Sequence, residues 1–195
     1  MNLFQAANGA ATFLIFSALV AGMARHFEAA KAEPFEEIAA HREMLLLGLF
    51  IVVFRIKTLI DDHRHFAEVV QERLMARYIG FILAAGSWIF WGFAAYLLHY
   101  TIRSAKMMGT SLLISTAWIV VHVYEIMIDR ERRNKEVITS LMREKWVMIN
   151  LFYVTCLVAF VGWFEPVVQP GNDLPLYLLL GMLVLDIFSS RPVIQ

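Results

Sequence analysis

Hydrophobic residues in this chain come in long uninterrupted runs. The longest runs are Tyr78–Ile102, Trp146–Phe164 and Met107–Tyr124, and they contain no Asp, Glu, Lys or Arg. Each approaches the ~20 residues that an α-helix needs to cross ~30 Å of hydrocarbon. Because a backbone in lipid must satisfy its own hydrogen bonds, these runs predict membrane-spanning helices.

The whole pattern predicts an all-α integral membrane protein with about six transmembrane helices, forming a single polytopic domain over residues 1–195. Hydrophobic residues make up 59% of the chain, against ~45–50% in soluble domains. Six spans with their connections leave no length for a separate soluble domain. The predicted spans are roughly Asn8–Ala24, Met44–Ile60, Tyr78–Leu98, Met107–Ile128, Trp146–Phe164 and Pro175–Phe188.

The basic residues predict how the helices are oriented. Of the 17 Lys and Arg, twelve lie in residues 55–77, in residues 130–145 or at Arg191, and five lie in the other connections. The positive-inside rule then places both termini in the cytoplasm, and we expect the chain in a bacterial inner membrane. The 17 acidic residues balance the basic ones, so the charge indicates no nucleic-acid partner.

Two predicted cytoplasmic connections resemble each other at a constant offset. Ile60-Asp61 aligns with Ile128-Asp129, and Glu68-Val69-Val70 aligns with Glu136-Val137-Ile138, both at an offset of 68 residues. This match predicts an internal repeat of a helical hairpin, formed by spans two and three and by spans four and five. The alternative is that any two amphipathic entries into a membrane look alike.

The same connections predict helices that continue beyond the membrane. Neither Gly nor Pro interrupts residues 62–79 or residues 129–149, and each segment has an apolar stripe at helical spacing. Helices three and five are therefore expected to extend into the cytoplasm as a charged collar, unless the segments lie flat on the membrane surface. The candidate partner-docking residues of this collar are Arg64, Arg73, Arg132, Arg133 and Arg143.

A candidate intramembrane charge network lies near the predicted inner ends of the even-numbered spans. Its members are Arg55 and Lys57 on span two, His122 and Glu125 on span four, and Asp186 on span six. A charge inside a membrane is costly, so we expect Arg55 or Lys57 to pair with Glu125 or Asp186 and to line a polar vestibule or an interface. The alternative is that the two cations extend to headgroups and water.

The segment Asp61-Asp62-His63-Arg64-His65 superficially resembles a metal cluster. Neighbouring side chains on a helix point in different directions, so we interpret it as an exposed loop in which Asp61 or Asp62 caps the next helix. No Gly-x-Ser-x-Gly or phosphate-loop motif is present. Of the histidines, only His122 lies well inside a span, which argues against bis-histidine haem. The sequence predicts no catalytic, metal or cofactor residues.

These features favour a non-enzymatic multi-pass membrane subunit that oligomerises or docks a partner through its collar, within a larger membrane assembly. The expected partners are membrane lipid and either further copies of the chain or other membrane or cytoplasmic protein subunits. The alternative is a small ion channel or transporter whose path is lined by the charge network. A membrane enzyme or haem carrier is a third hypothesis, with little support among the residues.

Overall fold

The fold is a bundle of α-helices. A computed structural model describes residues 3–30, 42–69, 74–128, 137–162 and 173–189, and within these ranges the chain forms helices and no strand. The six described helices are α1 (Leu3–Ala30), α2 (Arg42–Val69), α3 (Leu74–Tyr96), α4 (Thr101–Ile128), α5 (Val137–Val161) and α6 (Leu174–Ser189). The all-helical prediction is confirmed for the described residues, and every predicted span overlaps one helix.

Four of the described helices are long and apolar enough to cross a membrane. The apolar stretches are Phe4–Glu28, Tyr78–Tyr96, Thr101–Val121 and Glu144–Val161. The apolar helix α6 is shorter, about 24 Å at 1.5 Å per residue. In α2 the apolar run is interrupted by Arg55 and Lys57. Helices of this length and composition fit a membrane protein.

Helix α2 is the element around which the others are arranged. It contacts α1, α3, α4 and α6. Its residues Leu47, Phe50, Ile51 and Phe54 are buried at the spacing of one helix face. The rings of Phe50 and Phe54 pack against Trp91 of α3 and Tyr153 of α5, so aromatic side chains fill the centre of the bundle.

Contacts near the helix ends show that successive helices run in opposite directions. Near the start of α1, Asn8 meets Arg55 at the middle of α2, and near its end Arg25 meets Tyr96 at the end of α3. At the beginning of α2, a Cβ added at Gly48 would lie 3.2 Å from the Leu98 side chain, just past the end of α3. We define the N-terminal face as the end of the bundle at which α1, α3 and α5 begin. The opposite face is the end at which α2, α4 and α6 begin.

Small residues bring α3 close to its neighbours. A Cβ added at Gly22 of α1 would lie 2.7 Å from the backbone oxygens of Ala95 and Tyr96, so α1 and α3 are in backbone contact there. Toward α4, Ser87 Oγ lies 2.8 Å from Ser111 Oγ and 2.7 Å from Ser115 Oγ. Close approach through glycine and serine is typical of helices that pack within a membrane.

The region after Ile60 differs from the sequence prediction. Helix α2 continues to Val69, so Asp61 and Asp62 lie inside a helix, and the prediction that one of them caps the next helix was wrong. Lys57 Nζ lies 2.8 Å from Asp61 Oδ2 one turn later, and such a pair supports a continuing helix.

The predicted collar lies partly outside the described residues. Helix α3 begins at Leu74 and α5 at Val137, while residues 70–73 and 129–136 are not described. The helical extensions and the 68-residue repeat therefore stay predictions. The side chains that fall outside the described set include every proposed docking residue: Arg64, Arg73, Arg132, Arg133 and Arg143.

Candidate functional site

The structure brings together two members of the candidate charge network. Lys57 Nζ of α2 lies 2.7 Å from Asp186 Oδ2 of α6. Arg55 belongs to the same turn of α2 but contacts α1 instead. Helix α4 places His122 and Glu125 in its last two turns, and their side chains fall outside the described set. A functional role for the five residues together stays a prediction.

The helical geometry of α2 explains why its two cations have different neighbours. Residues two apart on an α-helix point in directions about 200° apart. Arg55 is directed toward α1, where its side chain is only 3% exposed as part of the buried core. Lys57 is directed toward α6. One short sequence, Arg-Ile-Lys, therefore joins α2 to two different helices.

Lys57 lies at the middle of a chain of polar contacts that we name the Lys57 cluster. The cluster comprises Asp61, Lys57, Asp186 and Tyr153. Lys57 Nζ contacts Asp61 Oδ2 at 2.8 Å and Asp186 Oδ2 at 2.7 Å, and Tyr153 Oη donates to Asp186 Oδ2 over 3.3 Å. The Lys57 ammonium also lies 5.6 Å from the ring centroid of Trp146, a distance suited to cation–π attraction.

The Lys57 cluster runs inward and ends in the aromatic core. Asp61 and Lys57 retain partial exposure, whereas Asp186 and Tyr153 are fully enclosed. The Tyr153 ring then packs edge-on against Phe50 and Phe54. Its hydroxyl bond to Asp186 is long for an O–H···O hydrogen bond, which makes it the weakest contact of the cluster.

Buried Arg55 is held by neutral side chains of α1. Its Nη2 donates to Asn8 Oδ1 at 2.9 Å and to Thr12 Oγ1 at 2.8 Å. The Thr12 hydroxyl donates in turn to the Asn8 carbonyl at 2.8 Å. Sequence reasoning missed both acceptors. Their signal was available, because polar residues four apart in an otherwise apolar helix share one face.

The described charges near the N-terminal face balance one another. Arg55 and Lys57 each carry one positive charge, and Asp61 and Asp186 each carry one negative charge, so these four residues sum to zero. Isolated charges in a low-dielectric interior cost several kcal/mol, roughly, and pairing offsets that cost. The arrangement can therefore hold helices together within a bilayer. It can also exchange protons, because ammonium and phenol groups can release a proton and carboxylates can accept one.

A second ion pair joins the same two helices at the opposite face. Arg42 at the start of α2 pairs with Asp173, which immediately precedes α6. Asp173 is buried although Arg42 is exposed, and the Asp173 carbonyl accepts from the amides of Leu176 and Tyr177. Sequence reasoning missed this pair, although an Asp directly before an apolar run is a helix-start signal. Ion pairs thus join α2 and α6 near both faces.

Within the described part of the chain, no group of three or more His, Cys, Asp or Glu side chains could hold a metal ion. Comparisons with protein-family models, with curated proteins and with solved structures found no match to this chain. The candidate site is therefore defined by its own geometry.

Proposed function

We propose that this chain is a non-enzymatic, multi-pass subunit of a larger membrane assembly. In this proposal all six helices cross the membrane, both termini lie in the cytoplasm, and the collar docks a partner or a second copy of the chain. The observation that carries the proposal is that the two cations of α2 are bound by neighbouring helices. Lys57 and Arg55 are both engaged between helices, with Asp186 and with α1.

Charges engaged in this way favour a structural role over conduction. An ion path needs sites that bind strongly enough to admit an ion and weakly enough to release it. Here the Lys57 ammonium lies within 2.8 Å of two carboxylates, and ion pairs link α2 to α6 near both faces. These contacts fix the helix arrangement and leave the collar and the lipid-facing surfaces for assembly.

A second candidate, a small-ion transporter, is favoured by one observation. The Lys57 cluster is a continuous series of proton-carrying groups from partly exposed Asp61 to fully buried Tyr153. Such a series suits a proton more than a larger ion. The aromatic rings around Tyr153 close its inner end, which is why we place this candidate second.

Neutralising two acidic residues separates the two candidates. For a subunit, we expect Glu125→Gln and Asp186→Asn either to prevent assembly of the native complex or to have no effect. The purified protein in liposomes should carry no ion or proton flux. A transporter would instead show a measurable flux in the wild type, altered by Asp186→Asn while the oligomeric state survives. Pyranine fluorescence inside the liposomes measures proton flux, and native mass spectrometry measures the oligomeric state.

Charge reversal on the collar tests partner docking. Arg132→Glu together with Arg133→Glu should remove a stoichiometric subunit, or a second copy, from the complex extracted from membranes. The matched control is Arg103→Glu, an exposed arginine on the opposite face, which should leave the complex intact. A wild-type chain that is a lone monomer in native mass spectrometry, or a complex unaffected by the collar variant, contradicts the proposal.

A further inference from the structure

The opposite face carries an uneven distribution of charge. Along α1 and the first turns of α4, the side chains of Arg25, Arg103 and Lys106 are exposed. Among the described residues of α1, α3 and α4 at this face, Glu28 is the one acidic residue. Three cations against one anion leave a net charge of +2. By contrast, Arg42 at the same face is already paired with Asp173.

Tyrosine rings hold the two arginines of this surface in place. Arg25 donates to Tyr96 Oη, and its guanidinium carbon lies 5.3 Å from the centre of the Tyr96 ring. The guanidinium carbon of Arg103 lies 5.0 Å from the centre of the Tyr100 ring, and the His99 ring packs 4.0 Å from that same ring. We name these five residues, from Arg25 to Arg103, the cationic edge.

The cationic edge lies at the boundary of the apolar stretches. The stretch of α1 ends at Glu28, that of α3 ends at Tyr96 and that of α4 begins at Thr101, so every residue of the edge lies within four residues of the end of a stretch. Tyrosine is enriched at such membrane–water boundaries and arginine side chains extend to them, and in a bilayer this is the level of the lipid phosphates. The headgroup of a lipid molecule in the surrounding bilayer therefore lies at the same level as these side chains.

Two further features of the edge suit an anion. Burial is the main cause of a lowered pKa of His99, and the positive charges of Arg25 and His26 lower that pKa further, as expected beside a cluster of cations. The first intrahelical bond of α4 runs from the Ser104 amide to the Tyr100 carbonyl at 2.9 Å. The amides that precede it in the first turn of α4 have no acceptor within the helix, and such amides attract negative charge.

We propose that the cationic edge binds the phosphate headgroup of an anionic phospholipid of the surrounding bilayer. Each guanidinium has five N–H donors in a planar fork, and the tyrosine contacts of Arg25 and Arg103 orient that fork at headgroup level. Arginine forks match phosphate oxygens in pairs of parallel hydrogen bonds. The proposal requires that the chain spans a membrane, and it is independent of any partner at the collar.

Lipid titration followed by native mass spectrometry tests this proposal. The full chain in detergent is titrated with phosphatidylglycerol and, separately, with phosphatidylcholine that has the same acyl chains. Wild-type protein should retain at least one phosphatidylglycerol selectively. Arg25→Gln with Arg103→Gln should weaken that binding about 25-fold, given the contribution of each basic residue near an anionic surface. Arg103→Gln alone, at an exposed residue, should weaken it about fivefold and keep the fold intact.

The control is Lys106→Gln, which removes an exposed charge from the same face outside the five residues of the edge and should leave lipid affinity unchanged. Nuclear magnetic resonance of His99 gives a second readout, because a bound phosphate should raise the pKa of that imidazole. Equal retention of the two lipids, or a Lys106→Gln effect as large as that of Arg103→Gln, overturns the proposal. Displacement of phosphatidylglycerol by millimolar inorganic phosphate would show that a soluble anion is the ligand, and this also overturns it.

Discussion

At Arg55, oxygen atoms of α1 replace the water that would surround a guanidinium outside a membrane. Asn8 and Thr12 are uncharged, yet each accepts a hydrogen bond from this 3%-exposed cation. Hydrogen bonds to charged groups contribute about 1.5–3 kcal/mol each, more than bonds between neutral groups. Two small polar residues on a largely apolar helix therefore help to stabilise a buried charge.

Removing one of these acceptors should destabilise the bundle in a way that a matched threonine elsewhere does not. We expect Thr12→Val to lower the free energy of unfolding by about 1–2 kcal/mol, because an Arg55 donor loses its acceptor. Thr155→Val is the control, since both hydroxyls donate to the carbonyl four residues earlier but Thr155 is exposed. Unfolding in detergent followed by circular dichroism measures both, and equal effects would contradict the assigned role of Thr12.

The sequence indicated which charges were exceptional but not which partners they have. Arg55 and Lys57 were identifiable because they interrupt an apolar run. The contact of Lys57 with Asp186 depends on α6 lying beside α2, and no spacing along the chain specifies that neighbour. Asn8 was overlooked because a neutral residue near a helix start has no visible cost until an arginine faces it.

At the scale of helices, two ion pairs join α2 and α6, one near each end of α6. Lys57 meets Asp186 toward the N-terminal face, and Arg42 meets Asp173 at the opposite face. Helix α6 is the shortest of the described helices at 16 residues. A short helix has little surface with which to fix its position along a neighbour, so ion pairs near its two ends can set the register between α2 and α6.

Mutation of the Lys57–Asp186 pair should show strong coupling. Lys57→Met alone should destabilise the bundle by about 3 kcal/mol, because it leaves the Asp186 carboxylate buried without its cation. Adding Asp186→Leu should recover most of that loss, since an apolar pair of similar volume needs no compensation. A double-mutant cycle of unfolding free energies in detergent measures this coupling.

The control cycle combines Asp186→Leu with Lys106→Met, which alters an exposed lysine at the opposite face. Residues without shared partners should give additive effects, to within about 0.5 kcal/mol. If the Lys57 cycle is also additive, the 2.7 Å contact does not stabilise the protein.

The contact between α1 and α3 depends on the absence of a side chain at Gly22. We expect Gly22→Ala to cost about 2 kcal/mol, because backbone oxygens 2.7 Å from the new Cβ can move away only if the helices separate. Gly86→Ala is the control, since nothing lies within 4 Å of a Cβ at that position. Thermal unfolding should show a lower midpoint for the first variant and an equal or higher midpoint for the second.

The helices were predictable from the sequence, and their ends less so. Long apolar runs located all six described helices, but the structure extends α1 to Leu3–Ala30 and α2 to Arg42–Val69. A hydrophobic run marks the part of a helix that lipid can cover and carries no information about the polar turns beyond it. The pairing of Asp61 with Lys57 supports the continuation of α2 past Asp61. From the charges alone, the sequence prediction placed the start of a connection at the same point.

For the whole molecule, the central position of α2 is the main consequence of these contacts. By length and composition, α1, α3, α4 and α5 can each cross a membrane. Helix α2 packs against the first three of these and also against α6. At 28 residues it is about 42 Å long, enough to cross the hydrocarbon. A helix that carries Arg55 and Lys57 is thus surrounded by apolar helices, and these two cations face α1 and α6.

The number of crossings is testable by labelling single cysteines from one side of the membrane. Cys156 is the one cysteine of the chain and is buried, so Cys156→Ser provides the parent protein. Cysteines are introduced separately at Glu28, Glu144 and Ser189, which are exposed near helix ends. A membrane-impermeant maleimide is applied to intact cells and, separately, to inverted vesicles.

If α2 crosses, three helices separate Glu28 from Glu144, and these two positions must label from opposite sides. If α2 does not cross, only α3 and α4 intervene, and both positions label from the same side. Ser189 should label together with Glu144, because α5 and α6 both lie between them. We expect Glu28 to react in intact cells and the other two positions in inverted vesicles, as the excess of basic residues in two connections predicts. Labelling of Glu28 and Glu144 from the same side would reduce the bundle to four or five crossings and leave Arg55 and Lys57 on a helix that enters the bilayer without traversing it.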